Sequence, residues 1–360
     1  MENSHFRIEQ LLGHAPALEE DHTFEETYGG RRVLITGGGG SIGQELCRKI
    51  AACKPEKLII LDIYENNAYE IQQELLRKYG TSFPICVSIA SIRDATRIDA
   101  VFAAHRPEIV LHAAAHKHVP LMEENPAEAI KNNVFGTRNV FGAAEKYGVQ
   151  KCILISTDKA VSPTSVMGAS KQMCERMLRA KTNSPTIFAA VRFGNVADSN
   201  GSVMPLFRRQ IAEGGPVTVT DKRATRYFMS IAEACHLVLQ AGEIAQGGEI
   251  FVLDMGDAVC IYDLACALIR DAGLEPEKDI KITEIGLRAG EKLNEKLRSG
   301  AQALLPTAHA RIFVENAPHV SPESVEIGLT SLAIALAKEE NADIVKEALQ
   351  IAVPTYRTKA

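Results

Sequence analysis

From Arg31 onward, short apolar runs alternate with longer amphipathic ones. Runs at Arg32–Thr36, Lys57–Asp62, Pro84–Ser88, Ile109–Ala113, Lys151–Ser156, Thr186–Arg192 and Glu249–Asp254 have the length and β-branched content of strands. Segments near Ser41–Cys53, Asn66–Tyr79, Asp94–Ala104, Pro126–Tyr147, Val166–Lys181 and Ile231–Ala245 carry helical periodicity. Such alternation predicts an α/β fold with a parallel sheet covered on both faces. Right-handed crossovers make it a doubly wound Rossmann sheet.

Two stretches break the alternation: Ala197–Arg226, rich in Gly, Pro and Thr, and the chain from Gly256 onward. They are expected to form a smaller substrate-binding lobe over the carboxyl ends of the strands, where such sheets bind ligands. The predicted organisation is an N-terminal arm at 1–30, a Rossmann domain at 31–196 plus 227–255, and the lobe at 197–226 plus 256–360.

Composition changes this picture little. The 360 residues suffice for a sizeable core, and 46% hydrophobic with 24% charged residues is ordinary for a soluble protein. A net charge of -5 leaves no basic excess for a nucleic-acid partner. No apolar run approaches the ~20 residues of a membrane span, and Met1–Arg7 lacks an apolar signal core. The expectation is a cytoplasmic protein. The eight cysteines, with no CxxC pair, read as reduced buried thiols.

The first strand runs into Thr36-Gly-Gly-Gly-Gly-Ser-Ile-Gly43, and a helix follows. Gly37, Gly40 and Gly43 permit a tight turn and close approach of backbone to a pyrophosphate. The helix start, Ser41, Ile42 and Gly43, offers N–H groups and a positive dipole to that anion. Asp62 ends the second strand, 19 residues beyond Gly43. A carboxylate there accepts from ribose hydroxyls and repels a 2′-phosphate, favouring NAD over NADP.

Later strand ends carry polar clusters. In His112–Pro120, small Ala113 and Ala114 let a cofactor lie flat, while Lys117 and His118 are expected to face the cleft. His112, His116 and His118 lack the companion ligands of a metal site, so no metal is expected and His112 reads as a core residue. Thr157-Asp-Lys159 follows the fifth strand and Met167-Gly-Ala-Ser-Lys171 comes shortly after. Thr157 and Asp158 alone would also suit a helix cap.

The glycine turn, Asn133–Thr137 and Lys171 together resemble the extended short-chain dehydrogenase/reductase family. That family normally carries Tyr-x-x-x-Lys; here Met167 stands at the Tyr position. His112–Pro120, Ser156–Lys171, Val191–Asn195, Gly201–Phe207, Thr225–Met229 and Gly286–Lys292 resemble the capsular-polysaccharide-type UDP-N-acetylglucosamine 4,6-dehydratases, a subgroup that also has Met. The resemblance runs from Phe6 onward, and to a soluble form, since larger members carry membrane spans ahead of this region.

The resemblance implies NAD as cofactor and UDP-N-acetylglucosamine as substrate. It implies oxidation at C4, loss of water across C5 and C6, and hydride return to C6. Thr157 would hold the C4 hydroxyl, Asp158 protonate the departing C6 oxygen, Lys159 act as base at C5 and Lys171 hold the nicotinamide ribose. Met167 would pack. Asn195, Val203 and Pro205 would face the sugar nucleotide, Arg226 and Arg288 clamp the pyrophosphate, and Glu291 meet the uridine ribose. Ser91, beside Ile92, stands where many relatives have an adenine-binding Asp. A C5-inverting dehydratase, a UDP-sugar 4-epimerase and a non-catalytic NAD-binding sensor remain alternatives, and the C5 configuration stays open. Asp158–Lys159 favours elimination, because an epimerase needs no acid at C6. By analogy, copies associate as a homo-oligomer through the helices near Pro126–Tyr147 and Val166–Lys181.

Overall fold

The computed structural model describes residues 8, 24–181, 183–297, 303–338 and 341–357. The chain runs through α1 (Glu25–Tyr28), β1 (Arg32–Thr36), α2 (Ser41–Ala52), β2 (Lys57–Asp62), α3 (Glu65–Tyr79), β3 (Ile85–Ile89), α4 (Ala95–His105) and β4 (Ile109–His112). Then come α5 (Val119–Glu124), α6 (Pro126–Ala129), a wider π-type turn at Ile130–Phe135, α7 (Gly136–Lys146), β5 (Lys151–Thr157), a 3-10 turn at Asp158–Ala160, α8 (Val166–Arg179) and β6 (Ile187–Phe193). The lobe contributes β7 (Asn195–Val196), α9 (Val203–Ala212), β8 (Val217–Val219), β9 (Thr225–Arg226) and β10 (Phe228–Met229). The rest is α10 (Ile231–Ile244), β11 (Ile250–Leu253), β12 (Val259–Cys260), α11 (Ile261–Asp271), β13 (Ile282–Glu284), β14 (Leu304–Pro306), β15 (Ile312–Glu315), α12 (Pro322–Ala337) and α13 (Ala342–Ala352).

The main sheet has the order β14-β15-β11-β6-β5-β4-β1-β2-β3. The seven strands from β11 to β3 pair in parallel. They are apolar nearly throughout because helices bury both faces. Val33, Ile35, Leu58, Ile60, Leu111 and Val191 face one apolar cluster; Leu34, Ile59, Val110, Leu154 and Ala190 face the other. Strand order reverses between β1 and β4, and at that crevice the carboxyl ends of β1, β4 and β5 present their loops.

Three expectations need correction. Residues 304–352 do not join the lobe. β15 pairs antiparallel with β11, β14 pairs with β15, and α12–α13 lie on the sheet side against α8. Leu329, Leu332, Val345 and Leu349 fill the cluster that also holds Met173 and Met177, which is why this tail is apolar. The covering hairpin packs on the face of α8 that carries Met173, Cys174, Met177 and Leu178, all interior. The predicted single helix at Pro126–Tyr147 is interrupted by the π-type turn, where Asn133 turns inward to bond the His116 backbone and Ser170.

Part of the predicted arm is core. Phe24 and Tyr28 are buried with Val33 and Leu237, and Tyr28 Oη donates to the Leu239 carbonyl at 2.9 Å. Ile8 packs in the lobe cluster with Met204, Phe207 and Phe228; the remainder of the arm lies outside the described residues. The lobe core is built by α9, α11 and strands β8 and β13.

Candidate active site

The glycine turn is shaped by contacts that leave no room for side chains. Gly37 has φ +67, and a Cβ there would lie 2.8 Å from the Ala114 backbone. A Cβ on Gly43 would lie 2.0 Å from the Gly37 carbonyl oxygen, so α2 begins directly against the turn. Gly40 differs: its Cβ would meet only that same oxygen, at 3.3 Å, and otherwise open space. The first-turn N–H groups of Ser41, Ile42 and Gly43 have no acceptor among the described residues, whereas Gln44 N–H already bonds Gly40. Ser41 Oγ accepts from Asn200 N–H, tying the turn to the lobe. Asp62 accepts from Gly39 N–H at 2.9 Å and from Tyr64 N–H, so its carboxylate braces the turn. Ser91 caps its own turn through Arg93 N–H, and Ile92 packs on Gly136.

At the end of β4, His112 is fully buried between Thr36 Oγ1 (2.6 Å) and Thr137 Oγ1 (2.9 Å). Burial, with Lys171 nearby, lowers it to about 3, so the ring is a neutral core bridge. Ala113 and Ala114 follow, with backbone N–H groups bonded to Thr36.

Across the cleft, the end of β5 places Thr157, Asp158 and Lys159. Thr157 Oγ1 donates to Asp158 Oδ1 at 2.9 Å, and Lys159 Nζ donates to the same oxygen at 3.0 Å. Lys159 Nζ also reaches Asn195 Oδ1 at 3.1 Å, which fixes the side chain between β5 and β7. Asp158 is fully buried and its Oδ2 has no hydrogen-bond partner. Lys171, on α8, is buried with no hydrogen-bond or ion-pair partner among the described residues, and burial lowers its pKa. Met167 is also buried, packed in the same cluster as Val166 and Met173.

Two side chains of the loop after β4 reach the lobe. Lys117 Nζ bonds the Asn200 carbonyl at 2.8 Å; burial and Lys159 lower its pKa. His118 lies against Gly201, its pKa lowered by burial and by Lys117 and Arg288. Val203 and Pro205 lie half-buried in the first turn of α9. Arg288 is exposed and bonds Glu291 at 3.2 Å.

Arg226 departs from its expected role. It is buried and its guanidinium already bonds the Thr225, Leu293 and Lys292 carbonyls and Glu291 Oε1 at 2.8–2.9 Å. Through its bonds to Glu291, Lys292 and Leu293, Arg226 holds the segment 286–297. Glu291 is likewise engaged by Arg226, Arg288 and Thr220. Sequence reasoning missed what this segment delivers. Lys292 Nζ bonds the Val161 carbonyl at 2.8 Å, and Glu295 lies buried beside it, so both join the Asp158–Lys159 centre. The only signal was an acidic residue within the apolar spacing of Leu293 and Leu297.

The Gly40 opening, the unsatisfied helix start and the unpartnered Lys171 ammonium fit a dinucleotide whose pyrophosphate meets α2 and whose second ribose meets Lys171. No helix among the described residues is long and apolar enough to cross a membrane.

Known proteins match this arrangement. The capsular polysaccharide biosynthesis protein CapD of Staphylococcus aureus is 47% identical over 92% of this chain and 56% of its own length. The chain thus spans about half the length of that relative. A UDP-N-acetylglucosamine 4,6-dehydratase (inverting) of Campylobacter jejuni is 37% identical over 81% of this chain and 83% of the relative. A UDP-glucose 4-epimerase of Rickettsia canadensis is 39% identical over 75% of this chain and 78% of the relative. Residues 33–317 match the model of the polysaccharide biosynthesis protein family, and the chain belongs to that family.

Proposed function

We propose that this chain is an NAD-dependent UDP-N-acetylglucosamine 4,6-dehydratase, making a UDP-4-keto-6-deoxy-N-acetylhexosamine for surface polysaccharide. The observation that carries the reading is the Thr157–Asp158–Lys159 relay around the buried Asp158, in which one carboxylate oxygen accepts from both the Thr157 hydroxyl and the Lys159 Nζ. The Campylobacter relative, matched over most of both chains, supports the substrate.

NAD, when bound, accepts a hydride from sugar C4 and later returns it to C6. Gly37, Gly40, Ser41, Ile42 and Gly43 would hold its pyrophosphate, Asp62 one ribose and Lys171 the other, with Ala113 and Ala114 beneath and Ser91 and Ile92 toward the adenine. The chain's residues move the protons. A C4 hydroxyl bonded to Thr157 passes its proton along the 2.9 Å bond to Asp158. Asp158 then protonates the C6 oxygen, which leaves as water, while Lys159, in its neutral amine form, takes the C5 proton. Met167 cannot carry a proton, so the relay replaces the usual tyrosine. Lys117, Lys292 and Arg288 bring cationic side chains to the cleft, suited to a diphosphate, with His118 beside them. Asn195, Val203, Pro205 and Glu291 complete the substrate side, and Arg226 acts from behind.

A 4-epimerase is the second reading, favoured by the Rickettsia relative. It requires no acid at C6, and so gives Asp158 no task. The test incubates purified protein with UDP-N-acetylglucosamine and follows mass. Loss of one water without net consumption of NAD supports the dehydratase; unchanged mass with an inverted C4 in the NMR spectrum supports the epimerase and sinks the first reading. NMR of the product also decides retention or inversion at C5. We place the reaction in the cytoplasm, consistent with eight free cysteines, and the active form as a homo-oligomer, to be checked by light scattering.

A further inference from the structure

The centre holds one more ionisable group than this chemistry uses. Glu295 is buried, and its Oε2 has no hydrogen-bond partner; neither has Oδ2 of Asp158. Buried polar atoms are nearly always paired, so two orphan carboxyl oxygens in one cluster need a common explanation. The neighbouring cations do not supply it. Lys159 Nζ is engaged by Asp158 Oδ1 and Asn195, and Lys292 Nζ by the Val161 carbonyl. Lys292 Nζ stands 3.8 Å from Glu295 Oε2, too far for a hydrogen bond. Arg226 is engaged by Glu291 and three carbonyls. A carboxylic acid proton on Glu295 resolves both orphans at once. It turns Oε2 into a donor and leaves Asp158 Oδ2 as its acceptor, directly or through one water. Burial holds Glu295 above its ordinary range; Lys159 opposes this, Asp158 adds to it, and Lys292 and Arg226 oppose it more weakly.

We propose that Glu295 is a neutral hydrogen-bond donor to Asp158, a positioning residue that stabilises the carboxylate formed when Asp158 gives its proton to the C6 oxygen. The inference rests on the dehydratase reading. In that step the Asp158 O–H bond breaks and the C6–O bond breaks, releasing water. The C5–H electron pair becomes the C5=C6 bond, and the C5 proton passes to Lys159. Glu295 keeps its own proton throughout, and its hydrogen bond strengthens as charge grows on Asp158.

The test compares wild type, Glu295→Met and Glu295→Gln on UDP-N-acetylglucosamine and on its 6-deoxy-6-fluoro analogue, whose fluoride leaves without needing a proton from Asp158. With the natural sugar, Glu295→Met lowers kcat about tenfold or more with KM little changed, and Glu295→Gln, which keeps an N–H donor, recovers most of the loss. With the fluoro sugar the Met deficit shrinks towards wild type. A Gln variant as slow as Met shows that the negative charge matters and overturns the proposal. An equal Met deficit on both sugars marks a merely structural role and also overturns it. If the wild type removes no water from the natural sugar, the dehydratase reading fails with it; the other failures leave that reading standing.

Discussion

Lys171 is a buried lysine whose ammonium has no hydrogen-bond or ion-pair partner among the described residues. Such a group costs free energy unless something completes it. Stability and function therefore pull in opposite directions at this position. Lys171→Met is expected to raise the stability of the cofactor-free protein by ~1–3 kcal/mol while abolishing measurable turnover. The pH dependence has a fixed sign. Because burial depresses the folded-state pKa, the unfolded chain binds the proton more tightly, so the penalty is full below the folded pKa. It fades as pH rises from there towards the ordinary lysine value. Thermal melts of both proteins on the alkaline side would show wild type gaining on the variant. A Lys171→Met protein that melts lower at neutral pH, or a gap that does not narrow, would mean that the ammonium is satisfied within the fold. Lys171 and the Thr157–Lys159 trio were legible in the sequence because both lie in the continuous segment that follows β5, the trio at the strand's end and Lys171 within α8.

At the scale of the element, the strand–turn–helix from β1 to α2 separates two kinds of glycine. Gly43 is needed by the fold, since a methyl would strike the Gly37 carbonyl at 2.0 Å. Gly40 faces the opening, where a Cβ would meet only the Gly37 carbonyl oxygen, at 3.3 Å. Gly43→Ala is thus expected to lower stability by a few kcal/mol, about the size of other overpacking changes. Gly40→Ala should melt near wild type yet hold NAD at least about tenfold more weakly. Calorimetry and NAD titration of the two variants separate these effects; equal losses of stability would erase the distinction. The strands were readable because seven of them are apolar runs of ordinary length. The tail was not. The helix pattern of 322–352 is plain, but no local signal says that it packs on α8 instead of roofing the ligand. That choice is made by β14 and β15, which carry the chain back to the sheet edge through pairing with β11.

At the scale of the whole molecule, Arg226 ties two distant stretches of the lobe together, β9 and the segment 286–297. Its bonds to Glu291, Lys292 and Leu293 span 65 to 67 residues of sequence, which is why neither Lys292 nor Glu295 was legible as part of the centre. Motif reading names the residues that a segment carries but not the side of a buried arginine that the segment presents. The guanidinium fork is what matters, because four acceptors converge on it and an ammonium cannot match that geometry. Arg226→Lys should therefore fail nearly as badly as Arg226→Met. Removing one partner of a buried pair costs ~3–5 kcal/mol, and here the cost falls on the segment 286–297, whose Glu291, Lys292 and Leu293 the guanidinium holds. The main melting transition should stay near wild type. Trypsin should cut sooner at Arg288, Lys292 or Lys296, and kcat should fall because Lys292 and Glu295 are no longer held against the Asp158–Lys159 pair. If instead the substrate's diphosphate is what Arg226 serves, the cleavage pattern stays that of wild type and the loss appears chiefly in KM.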